Sequence, residues 1–82
     1  NLRKHGVSFE EAMEVWDDDA ADFRINGDDR GEERWQVVGL TTSSRLLFVV
    51  HVDIDDEVIR IISARRADRR ERRAYEIRAI YS

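Results

Sequence analysis

The sequence predicts an α+β domain: short N-terminal helices, an antiparallel sheet of three to four strands and a closing C-terminal helix. Three observations lead there. Ser8 followed by Glu11 has the spacing of a helix-capping box, and Asp68 followed by Glu71 repeats it near the other end. Between them, Arg34–Leu40, Leu46–Asp53 and Val58–Ser63 are apolar runs of strand length divided by short polar turns. Helices at both ends with consecutive strands between them give an α+β layout, not alternating βα units.

In chain order, Leu2-Arg3-Lys4-His5-Gly6 reads as the last turn of a helix, with cations near its negative end and Gly6 free to turn left-handed. A second helix follows at once. Ser8 is its N-cap, Val7 sits at the staple position against Ala12, and Ala12, Met13 and Trp16 form its buried stripe. The acidic stretch Asp17 to Glu33 contains Gly27 and Gly31, and only 21–25 alternates as a strand should, so an edge strand and a loop are expected there.

The three stronger strands read as a meander. With Asp55-Asp56 as a hairpin tip, Val52 opposes Ile59, Val50 opposes Ile61 and Phe48 opposes Ser63 on an apolar face, while His51 opposes Arg60 on the other. The register of the preceding hairpin is not fixed by the sequence. In the final helix one stripe holds Ala74, Ile77 and Tyr81 and another holds Arg72, Tyr75 and Ala79; either fits the sheet. Residues 1–82 are read as a single domain, and Trp16 and Trp35 are expected in its core.

Net charge is −4, but the sign divides along the chain. Residues 1–58 carry six Lys/Arg against fifteen Asp/Glu, and residues 59–82 carry eight against three. Local field decides where an anion docks, so the C-terminal arginines suit a polyanion despite the total. There is no cysteine, hence no disulfide and no thiolate metal site. No apolar run reaches the roughly twenty residues of a membrane helix, and a soluble, cytoplasmic protein is expected. Asp17-Asp18-Asp19 lacks a second cluster at metal-binding spacing, so no metal or cofactor is expected. P-loop, dinucleotide and nucleophile-elbow motifs are absent.

Nucleic acid is the leading candidate for that polyanion, and chemistry on it would need groups that stabilise phosphoryl charge and carry protons. Arginine's fixed fork of donors suits the charge term. Arg60 on the last strand and Arg65 just past its end, ahead of a helix N-terminus, are the first candidates; Arg60 could equally pair with an acid across the strands. Arg69 and Arg72 extend the RNA-binding set, although Arg72 could pair with Glu71 or Glu76. Arg66, Arg70, Arg73 and Arg69 itself read more simply as a solvated or partner-facing surface. His51 is a candidate proton carrier, against the plainer role of a half-buried strand histidine. Tyr75 could orient a phosphate or belong to the core.

Several blocks also carry a resemblance. Asn1-x-x-Lys4-His5-Gly6-Val7-Ser8-Phe9-Glu10-Glu11-Ala12, Glu14-Val15-x-Asp17, Gly39-Leu40, Val49-Val50-His51 and Arg60-Ile61-Ile62-Ser63-Ala64-Arg65-x-Ala67-x-x-x-Glu71-Arg72-x-x-Tyr75-Glu76 resemble the BrnT family of bacterial toxins. The resemblance implies a RelE-like fold with a further strand ahead of Asn1. It implies a toxin that cleaves RNA, inhibits translation and growth, and is neutralised by a BrnA-type ribbon-helix-helix antitoxin through which it reaches operator DNA. Lys4 and His5 belong to a family block and join His51, Arg65 and Tyr75 as catalytic candidates, while Arg66, Arg70 and Arg73 become candidates for antitoxin binding. The rival expectation is a non-catalytic module that binds protein or nucleic acid through its arginine-rich helix.

Overall fold

A computed structural model describes residues 6–26 and 33–81. Gly6 adopts φ +74°, the left-handed conformation expected of it, and the rest of the preceding helical turn lies outside the described residues. Helix α1 spans Phe9–Met13, and the Ser8 hydroxyl accepts the Glu11 N–H at 3.1 Å. The Glu11 carboxylate is used elsewhere, taking bonds from Ser43 and Thr41 and pairing with Arg45 at 3.2 Å. The chain then tightens into a 3₁₀ turn at Glu14–Asp17. At three residues per turn, Val15 falls below Ala12 and both are fully buried. The expected stripe is therefore corrected: Met13 is exposed, Trp16 is half-buried, and Val15 does the core packing.

Four strands, β1 Asp22–Asn26, β2 Arg34–Leu40, β3 Leu46–Asp53 and β4 Ile59–Arg66, pair antiparallel in sequence order. Helix α2, Arg69–Tyr81, follows. Val7, Ala12, Val15 and Ala21 pack on Val37, Leu47, Val49 and Ala64, which share one face of the sheet. Burying each Val or Leu here contributes about 1.5–3 kcal/mol. The 3₁₀ turn approaches β2 closely because Gly39 has no side chain; a Cβ there would stand 2.7 Å from that of Val15.

The last hairpin differs from the sequence reading. Asp55 Oδ1 accepts the N–H groups of Glu57 and Val58, and Ile54 N–H bonds the Val58 carbonyl. This side-chain turn moves the pairing by one, so Val52 opposes Arg60 and His51 opposes Ile61. A bulge between Val50 and His51 shifts it once more, setting Val50 against Ser63, Phe48 against Arg65 and Leu47 against Arg66. Two expectations fall with the register. His51 and Val49 lie on the buried face instead of the polar one, and β4 continues three residues past Ser63, so Arg65 is inside the strand.

Candidate functional site

Arg65 and Glu71 join the end of β4 to the start of α2. Arg65 Nη1 and Nη2 donate to the two Glu71 carboxylate oxygens, each at 2.9 Å, and Nη1 also donates to the Arg66 carbonyl. Glu71 Oε1 takes the Asp68 N–H at 2.9 Å and Asp68 Oδ1 takes the Glu71 N–H at 2.8 Å, the reciprocal cap that the sequence leads one to expect. The Arg65 guanidinium also lies 4.3 Å from the centre of the Phe48 ring. The Glu71 bonds raise its pKa further, against a smaller opposing effect of burial. Three of its five N–H groups are thus committed, and its charge is matched by Glu71.

Beyond this clamp, basic residues gather at one corner. The turn between β2 and β3, the end of β4 and the first turns of α2 meet there around a hollow of about 200 Å³, walled by Ser44, Arg45, Arg66 and Arg72. Ser44 is held at φ 65°, an uncommon conformation for a residue with a side chain. Arg45 donates from Nη2 to the Gly6 carbonyl at 3.2 Å, while Nη1 pairs with Glu11. Its Nε is buried and has no acceptor among the described residues. Arg66 is exposed and forms no ion pair among the described residues. Arg72 makes a loose 3.7 Å contact with Glu76 at the exposed surface. Three arginines converging on one hollow, with Arg66 and Arg72 exposed there, are a setting that favours an anion.

His51 stands elsewhere. It is 3% exposed, edge-on to Trp16 at 4.8 Å and parallel to Trp35 at 6.4 Å. Asp53 Oδ1 lies 3.2 Å from Nδ1, an electrostatic contact, and neither ring nitrogen has a hydrogen-bond partner among the described residues. Burial lowers the His51 pKa below its usual 6.5, with Asp53 partly opposing the shift. Four strand steps separate it from Leu47, the partner of Arg66, a span of roughly 13 Å. The structure does not bring His51 to the arginine corner.

Nor does Tyr75 face that corner. It is buried, and its hydroxyl donates at 2.5 Å to Asp18 Oδ2, which also takes the Leu40 N–H at 2.8 Å. Burial and then the Asp18 carboxylate push the tyrosine up to about 12. For Asp18, burial acts upward, but bonds from Tyr75, Leu40 and Ala20 together hold it below its usual value of 3.8. The middle acid of Asp17-Asp18-Asp19 thus ties the 3₁₀ turn to β2 and α2, and the stripe containing Tyr75 is the one that faces the protein. Arg60 is exposed and six strand steps, roughly 20 Å, from Arg66. Arg69, Arg70 and Arg73 are exposed along α2 with no ion pair among the described residues. Lys4 and His5 lie outside the described residues.

Sequence reasoning overlooked Arg45 and Ser44. One signal was present: Arg45 is the only Lys or Arg between Arg34 and Arg60, at the end of a turn rich in hydroxyls. Its proximity to Arg66 and Arg72 arises from strand pairing across twenty residues or more, which local spacing does not show.

Fold and corner together define a small α+β domain with three arginines gathered at the exit of its sheet. Residues 1–71 match the family described as the ribonuclease toxin, BrnT, of type II toxin-antitoxin systems. The chain belongs to that family, whose members are toxins that act on RNA and are paired with an antitoxin. Comparison with curated proteins gave no match. Among the described residues no helix is long and apolar enough to cross a membrane.

Proposed function

We propose that this chain is a cytoplasmic, metal-independent endoribonuclease that inhibits translation and growth, with the Arg45–Arg66–Arg72 corner binding the scissile phosphate. The observation that carries this reading is the convergence of Arg45, Arg66 and Arg72 on one hollow at the end of the sheet. In the reaction the 2′-oxygen bonds to phosphorus as the P–O5′ bond breaks, leaving a 2′,3′-cyclic phosphate and a 5′-hydroxyl. The proton lost from the 2′-hydroxyl goes to a base and another reaches O5′ from an acid. Negative charge grows on the non-bridging oxygens, where the three guanidinium groups act. Arg65 serves as a positioning residue, fixing the end of β4 against α2 through Glu71.

Lys4 and His5 are the proton carriers in this reading. In sequence they directly precede Gly6, whose carbonyl Arg45 holds. His51 and Tyr75 take structural roles. Arg69, Arg70 and Arg73 offer a charged helix face to a ribbon-helix-helix antitoxin, which carries the complex to operator DNA. Antitoxin capture lost in Arg70→Glu with cleavage retained would assign that face to recognition.

The test is purified protein incubated with messenger RNA in EDTA. The expected products end in 2′,3′-cyclic phosphate and 5′-hydroxyl groups. An intact transcript contradicts the proposal.

A further inference from the structure

At the opposite end of the sheet face from the arginine corner, a cleft of about 860 Å³ is walled by Trp16, Phe23, Trp35 and His51. Its rim carries Asp53, Asp55, Asp56 and Glu57 from the β3–β4 hairpin. We propose that this cleft docks an arginine side chain presented by a partner polypeptide.

The choice of occupant follows from three features taken together. A purely apolar ligand would leave the four acidic side chains of the rim without a counter-charge. An RNA base could stack on the tryptophans, but its phosphates would meet four carboxylates. Among the described residues no three His, Asp or Glu side chains gather to hold a metal ion. A guanidinium satisfies every feature: it lies flat on an indole and pairs with carboxylates at the rim. Lysine's compact, strongly hydrated ammonium fits a slot between flat rings less well. The volume exceeds what one guanidinium fills, so flanking backbone and side chains of the same segment occupy the remainder.

The chain's two tryptophans both line the cleft, so intrinsic fluorescence reports its occupancy without reference to RNA cleavage. The test titrates the full chain with acetylated, amidated (Gly-Arg)₃-Gly, and in parallel with the same peptide carrying citrulline for arginine and with oligouridine. A second arm repeats the titrations on Asp56→Asn/Glu57→Gln, which removes two charges and spares Asp55, the residue holding the turn. Circular dichroism checks that the variant is folded. The expected result is a saturable tryptophan signal with the arginine peptide, weakened about tenfold by citrulline and by the double substitution. Equal binding of the citrulline peptide, tryptophan quenching by oligouridine undiminished by the substitutions, or no signal up to roughly 10 mM arginine peptide overturns the proposal.

Discussion

Glu71 uses one carboxylate for two tasks: it caps α2 through the Asp68 N–H and clamps Arg65 of β4 with two parallel 2.9 Å bonds. The position of Arg72, one residue further on, relative to Arg66 is set by this joint. Glu71→Ala is expected to lose the clamp and the cap together, lowering stability by about 2–3 kcal/mol in urea denaturation. Glu71→Gln, which keeps an acceptor for the cap, is expected to lose less. Equal stability of Glu71→Ala and the parent would mean that the joint contributes nothing.

Tyr75 is expected to be structural. Tyr75→Phe removes a hydrogen bond to an ionised carboxylate, a loss of about 1.5–3 kcal/mol, while cleavage per folded molecule stays near the parent's. With its folded pKa raised to about 12 from 10, the tyrosine's contribution is complete below pH 10 and fades as pH climbs toward 12. Asp18, depressed below 3.8, behaves in the opposite sense, and its contribution fades as the solution is acidified past that value. Ultraviolet titration of the phenol and unfolding at several pH values check both.

His51 is expected to titrate below 6.5 in proton–nitrogen correlation spectra, because burial disfavours the imidazolium. The unfolded chain binds that proton more readily, so this group's effect is a loss of stability as pH falls below 6.5. Asp53→Asn removes the charge opposing the shift and should move the midpoint lower still. A midpoint that rises in Asp53→Asn contradicts the assigned cause.

Gly39→Ala places a methyl carbon 2.7 Å from Val15 Cβ, inside contact distance of both side chain and backbone. The expected cost is about 1–3 kcal/mol, read as a lowered melting temperature. An unchanged melting temperature would show that the 3₁₀ turn can withdraw from β2 freely.

Local features of this fold were legible in the sequence, and long-range ones were not. Ser8 and the Asp68–Glu71 pair mark helix starts because capping acts over three residues, and the bounds of β2 and β3 follow from apolar runs set off by polar turns. The β3–β4 register depends on a side-chain turn at Asp55, which moves His51 from Arg60 to Ile61, and on an unpaired residue further along, which sets Phe48 against Arg65. Part of the candidate site was visible as an arginine run containing Arg66 and Arg72. Arg45 was not, since only the folded sheet carries its turn to theirs.

Cleavage of one RNA by Arg66→Ala and Arg60→Ala, compared side by side at matched folded concentration, separates the corner from generic positive charge. Both residues are exposed arginines of β4, and only Arg66 lines the hollow with Arg45 and Arg72. The expected result is a loss of about 10²–10³-fold for Arg66→Ala, with Arg60→Ala within roughly threefold of the parent. Equal losses in the two variants, or none in Arg66→Ala, would contradict a phosphate site at this corner.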